Sequence, residues 1–157
     1  MEKNNYTLTA IVPFFNEEQT IIESVKNLEK ITLINEIILV DDCSSDSSSE
    51  KAKVLANTLD KVTYLRLKKN KGKGGAVLSA INSVSSSHVV IHDADLEYNP
   101  NDIVKMFNSV KNIDTFVIGS RYLENKKMRL ENMSLILNFI EVSSTKLFNN
   151  LFGTKLT

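Results

Sequence analysis

The chain has 157 residues, 42% hydrophobic and 24% charged, which is the size and composition of one folded domain and excludes a disordered segment. Lys plus Arg and Asp plus Glu both total 19, for zero formal net charge, and this excludes the basic excess of a dedicated nucleic-acid-binding domain. One cysteine and two histidines, His88 and His92, exclude an internal disulfide and a cysteine-rich zinc site, and suit a reducing cytosol.

The predicted elements alternate along the chain. Leu8 to Phe15 (LTAIVPFF) is rich in Ile, Val and Phe without polar alternation, as expected of a strand buried on both faces. Residues 17–30 follow with helical spacing that places Ile21, Ile22, Val25 and Leu28 on one face. Asn16 is expected to cap this helix, with Gln19 at the reciprocal position. Glu36 to Val40 is the second strand, and the serine-rich stretch Ser44 to Ser49 leads into a helix over 47–59, capped by Asp46 or a neighbouring serine. Val62 to Leu67 forms the third strand, followed by a Lys/Gly loop and a helix over 75–84. His88 to His92 is the fourth strand. A helix over 101–110 follows, with Asn99 as cap and Pro100 at the first helical position, where its missing N–H is harmless. Thr115 to Gly119 is predicted as a fifth strand.

This β-α-β order predicts an α/β fold, a mostly parallel twisted sheet with helices on both faces. The N-terminus lacks the long apolar stretch of a signal peptide, and no run reaches the roughly 18 apolar residues of a spanning helix. Met133 to Phe152 is the most apolar segment, but Asn, Glu, Ser and Lys interrupt it. It reads as an amphipathic helix, packed on the core or a partner, or lying at a membrane surface.

Open α/β sheets bind ligands at the carboxyl ends of their strands, and the polar residues gather there. Asp93 and Asp95, one residue apart after the fourth strand, offer hard oxygen ligands suited to Mg²⁺ or Mn²⁺, with Glu97 as a third; the same spacing also suits a simple turn cap. Asp41 and Asp42 suit ribose hydroxyls or base N–H groups, or capping of the serine-rich helix start; one can cap while the other binds. Arg66, Lys68, Lys69, Lys71 and Lys73 accompany Gly72, Gly74 and Gly75, where backbone N–H groups and a helix N-terminus favour an anion. The order is not that of an ATPase phosphate loop, and no dinucleotide fingerprint follows the first strand. His92 reads as a packed strand-end residue and Cys43 as a partly buried small one.

Five segments in order carry a more specific signal: IVPFFNE (11–17), EIILVDDCSSD (36–46), NKGKGGA (70–76), DADLEYNP (93–100) and GSRY (119–122). Together they resemble the family-2 glycosyltransferases of the GT-A fold, and look closest to the dolichol-phosphate mannose synthase-like branch. The resemblance runs from about residue 7 to the end. It implies a single GT-A-like catalytic domain over 1–157, cut short on its acceptor side. Pro13, Phe14, Asn16 and Glu17 would line the nucleotide pocket, although relatives often have Tyr or Ala where Phe14 or Phe15 stands. Asp41 and Asp42 would serve base or ribose, and Lys71 and Lys73 would lie near the nucleotide. Asp93 and Asp95 match the family's D-x-D, which engages metal and sugar diphosphate, and Glu97 matches a position that adds a metal ligand in some relatives. Arg121 would stabilise negative charge.

The implied reaction is inverting transfer of a sugar from a UDP- or GDP-linked donor to a lipid phosphate or a glycan. A phosphate acceptor is weakly favoured because it needs no protein base. A nucleotide-sugar-binding module without turnover and a nucleotidylyltransferase are the rival readings. The implied location is cytoplasmic, with peripheral contact at the inner membrane face and self-association both left open.

Overall fold

A computed structural model describes residues 6–119. The chain divides into units after Val117, and the elements below all lie in the first. Four strands, β1 (Leu8–Phe14), β2 (Ile34–Asp41), β3 (Val62–Arg66) and β4 (His88–Ile91), form a sheet in the order β3-β2-β1-β4. Every pairing is parallel. Four helices join or follow them: α1 (Ile21–Glu29), α2 (Ser48–Thr58), α3 (Gly72–Ala80) and α4 (Asn101–Asn108), with a 3-10 turn at Ile81–Ser83.

Crossover handedness distributes the helices. The steps β1 to β2 and β2 to β3 run in one direction, so right-handed crossovers put α1 and α2 on one face. The return from β3 past β2 and β1 to β4 puts α3 on the other. Strand parity then sorts the core. Leu8, Ala10, Val12 and Phe14 of β1 and Ile37 and Leu39 of β2 pack with Ile21, Val25 and Leu28 of α1, Ala52 and Leu55 of α2, and Ile103 of α4. Ile11, Ile38 and Val40 point oppositely, onto Ala76 and Ala80 of α3. The small alanines let α3 lie close to the sheet. All seven residues of β1 are buried, as expected for a central strand covered on both faces.

Several boundaries differ from expectation for identifiable reasons. α1 starts at Ile21, not residue 17. Asn16 has φ 58°, and the Glu17 carbonyl accepts the N–H groups of Thr20 and Ile21 in a preceding turn. Asn16 therefore does not cap α1. α3 starts at Gly72, three residues early, because the Lys71 N–H is held by Asp42 (2.7 Å) and the Gly72 N–H by Asn70 (3.0 Å). These ties override the poor helix propensity of glycine. Pro100 occupies the cap position of α4 itself, while the Asn99 side chain accepts the Asn101 N–H at 3.0 Å. The expected fifth strand is not formed: residues 115–119 join no ladder. Thr115 instead closes a local turn, its hydroxyl accepting the N–H groups of Lys111 and Asn112, a competitor of strand pairing.

Candidate functional site

The sheet's strand order reverses between β1 and β4, and in such sheets ligands bind in the crevice outside that point. A cleft of about 300 Å³ lies there. Pro13, Phe14 and Glu17 line it from β1 and the following loop, Asp42 from the end of β2, and Lys73 from α3. Asp93 and Asp95 complete it from the loop after β4. Seven of the residues singled out in the sequence thus share one concavity. Asn16, Asp41, Lys71 and Glu97 do not line it, and Arg121 lies outside the described residues. Phe15, Ala76 and Ala94 line it as well; their only signal was adjacency to the polar motifs.

Strand alternation explains why Asp41 and Asp42 part company, since successive side chains point to opposite faces. Asp41 is fully buried on the α2 side. The Ser44 N–H donates to its Oδ1 at 2.7 Å, and the Tyr64 hydroxyl to its Oδ2 at 2.8 Å. Ser49 also donates to Oδ2, and Arg66 stands 3.5 Å away. Burial pushes the Asp41 carboxyl up, but the bonds from Ser49, Ser44 and Tyr64 outweigh it and hold the group below its ordinary value. Burial and the same bond push the Tyr64 hydroxyl up, so it remains a donor. Asp41 is a structural anchor for the start of α2. Asp42, on the α3 side, is also buried, but it lines the cleft while its Oδ1 holds the Lys71 N–H at 2.7 Å.

Asn16 acts as a brace between loops. Its Oδ1 accepts the N–H groups of Ser45 (2.8 Å) and Asp46 (3.4 Å), and Ser44 Oγ accepts the Asn16 N–H at 3.0 Å. Glu18 adds bonds from the Ser47 hydroxyl, and Lys51 Nζ donates to the Glu18 carbonyl, both at 2.7 Å. The loops after β1 and β2 are therefore tied together, through Asn16, which the sequence offered as a helix cap and as a pocket residue, and through Glu18, for which it gave no role. Asn16, Cys43 and Leu96 are the described non-glycine residues with positive φ, at 58°, 68° and 63°. Each follows a strand that feeds the cleft. Such conformations cost about 1–2 kcal/mol per residue, so strain gathers at the cleft's edge.

On the opposite wall, Lys73 Nζ lies 2.6 Å and 2.7 Å from the two oxygens of Asp93. The Asp95 Oδ1 accepts the Glu97 N–H at 3.1 Å, and Glu97 is exposed. Among the described residues no group of three or more His, Cys, Asp or Glu is disposed to hold a metal ion. Four carboxylates line the cleft, Glu17 and Asp42 on one side and Asp93 and Asp95 on the loop after β4, and the last two are the pair that the sequence offers as cation ligands. Two carboxylates fit Mg²⁺ or Mn²⁺, which keep waters and take further oxygens from phosphates. Burial pushes the His92 imidazole down, against the opposing pull of Asp93 and Asp95, so it is neutral at pH 7. A second cleft of about 510 Å³ lies between the end of α1 and the start of α4, lined by Lys30, Asn99 and Asn101 among others, and no carboxylate lines it.

Similarity to known proteins agrees with this geometry. A dolichol-phosphate mannosyltransferase of Pyrococcus furiosus is 33% identical over 123 residues, covering 77% of this chain and 35% of the relative. An undecaprenyl-phosphate 4-deoxy-4-formamido-L-arabinose transferase of Yersinia pestis is 32% identical over 104 residues, covering 63% of this chain and 32% of the relative. The chain thus spans about a third of the length of these two proteins. Among solved structures, a mannosyltransferase from Pyrobaculum calidifontis in complex with GDP-Man and Mn²⁺ superposes with a TM-score of 0.62 at 25% identity, over 68% of this chain and 33% of that one. The family model for glycosyl transferase family 2 matches residues 9–156. A match of that extent, on a fold shared with GT-A glycosyltransferases, shows that the chain belongs to glycosyl transferase family 2.

Proposed function

We propose that the chain carries the donor-binding part of an inverting glycosyltransferase that moves a sugar from a UDP- or GDP-linked donor to a polyprenyl phosphate. The observation that carries this is the convergence of Asp42, Lys73, Asp93 and Asp95 on one cleft at the sheet's switch point. Asp42, just beyond the end of β2, is suited to accept hydrogen bonds from the nucleoside. Pro13 and Phe14 give the neighbouring apolar wall. Asp93 and Asp95 would hold Mg²⁺ or Mn²⁺ against the diphosphate. When bound, the cation supplies Lewis-acid neutralisation of the leaving diphosphate.

The chain's own positive charge adds to that. Lys73, four methylenes from the backbone of α3, reaches phosphate oxygens within the cleft, and Arg121 would stabilise developing charge from the motif after residue 119. A polyprenyl phosphate presents an oxygen that is already anionic, so the transfer needs no carboxylate base from the protein. The two relatives, a dolichol-phosphate and an undecaprenyl-phosphate transferase, support this acceptor class, as does the apolar segment at 133–152, which lies outside the described residues. Such an enzyme would work at the cytoplasmic face of a membrane, with the segment at 133–152 suited to peripheral contact.

The test uses the full chain in two stages. Thermal shift with UDP- and GDP-sugars plus Mn²⁺ should show stabilisation by one nucleotide class, lost in Asp95→Asn. Radiolabelled sugar from that donor should then pass to a polyprenyl phosphate, with an inverted anomeric linkage by NMR. No stabilisation by any donor would overturn the reading, and binding without transfer would reduce it to a donor-binding module.

A further inference from the structure

Lys73 is placed on the very carboxylate that the proposed reaction needs for its cation. Its ammonium spans both oxygens of Asp93, at 2.6 Å and 2.7 Å. The backbone delivers it there. Asp42 holds the Lys71 N–H and Asn70 the Gly72 N–H, and Gly72, at φ 73°, turns the chain so that α3 begins beside the cleft. The loop is tied to β2 on one side, and the Lys73 side chain crosses to the end of β4 on the other. The Lys73 side chain is 59% exposed and that of Asp93 23%, so the pair is solvated enough to exchange partners readily.

A divalent ion bound to the Asp93 oxygens at about 2.0–2.1 Å would set two positive charges against the ammonium at contact distance. Ion and ammonium therefore compete for the Asp93 oxygens. A nucleoside diphosphate changes the balance, because its oxygens give the ammonium another anionic partner within reach of the same flexible stem.

We infer that Lys73 is an internal competitor for the cation at Asp93, and that a nucleoside diphosphate, by drawing the ammonium onto its phosphates, releases Asp93 to the metal. The inference rests on the proposed role of Asp93 and Asp95 as cation ligands. Lys73 thereby suppresses cation binding to the empty-handed enzyme and couples cation binding to donor binding. By linkage the coupling is reciprocal: nucleotide raises cation affinity by the factor by which cation raises nucleotide affinity.

Titration of Mn²⁺ into the full chain, followed by loss of the free-ion EPR signal, tests this without any turnover. Without nucleotide, Lys73→Met and Lys73→Gln should both bind Mn²⁺ on the order of tenfold more tightly than the unsubstituted chain. The factor by which UDP or GDP raises Mn²⁺ affinity should shrink in both. If neither variant gains affinity for Mn²⁺ alone, while Asp95→Asn abolishes nucleotide-dependent Mn²⁺ binding, the cation site stands and the competition is overturned. If Asp95→Asn leaves Mn²⁺ binding unchanged, the cation site and the competition both fall.

Discussion

Asp41→Asn should weaken the fold and spare the cleft, whereas Asp42→Asn should do the reverse. Asp41 has no exposed surface, and its Oδ2 receives Ser49, Tyr64 and the flank of Arg66. An amide that keeps its oxygen toward the Ser44 N–H turns its NH₂ toward those three donors. Hydrogen bonds to a buried charge contribute about 1.5–3 kcal/mol each. The two hydroxyls can rotate and recover part of that, and the Arg66 pair, 40% exposed on the arginine side, adds little because solvent screens it. A net loss of about 3 kcal/mol is expected, or a Tm lower by about 10 °C. The pH dependence has a definite sign. The folded-state carboxyl is held below its ordinary value, so its contribution is present above about pH 4, the unfolded value, and disappears as pH falls through the folded one. Urea melts should therefore show the two chains converging on acidification. Asp42→Asn keeps a carbonyl for the Lys71 N–H, so its Tm should hold, while nucleotide affinity falls about tenfold or more. An Asp41→Asn chain that melts like the parent but loses nucleotide binding would refute the assignment.

Other outcomes follow from the same geometry. Asn16→Ala loses the bonds to the loop after β2 and also forces alanine to the left-handed φ of 58°. It should destabilise by about 1 kcal/mol more than Asn16→Gly in urea melts; equal losses would mean the φ is relaxed in solution. Gly75→Ala would bring a Cβ to 2.6 Å from the Lys71 Cβ, whereas a Cβ on Gly74 meets nothing within 4 Å. The first should cost about 1–2 kcal/mol and weaken nucleotide binding, and the second should stabilise α3 by up to about 1 kcal/mol. Changes of the same sign on chemical denaturation would contradict the packing around Lys71. EDTA should abolish the thermal stabilisation given by a nucleotide sugar, and Mn²⁺ in excess should restore it; stabilisation that persists in EDTA would leave Asp93 and Asp95 without a metal role.

Legibility in the sequence followed the range of the interactions. The strands stood out because residues such as Ile11, Val12, Ile38 and Leu39 are apolar on both faces, a pattern the parallel sheet requires. That Asp93, Asp95 and the Lys/Gly loop would meet at one cleft was legible because motif and strand end coincide. The start of α1 was misread at Asn16, since a cap and a cross-loop brace use the same side-chain oxygen and differ only in the partner. The fifth strand was misread because the Thr115 turn competes with a ladder at the level of backbone hydrogen bonds, which residue composition does not reveal.

What the sequence determined by itself was the alternation of strand and helix, the gathering of acidic and basic groups at strand ends, and with them the family. Those features depend on periodicity and on neighbours a few residues apart. Only the tertiary structure decided that Asp41 anchors while Asp42 faces the cleft, that Asn16 ties two loops, and that Lys73 meets Asp93. Lys73 and Asp93 lie 20 residues apart along the chain, and Asn16 with Ser45 and Asp42 with Lys71 lie 29 apart; sheet register and crossover hand, which no local pattern encodes, bring them within hydrogen-bond distance.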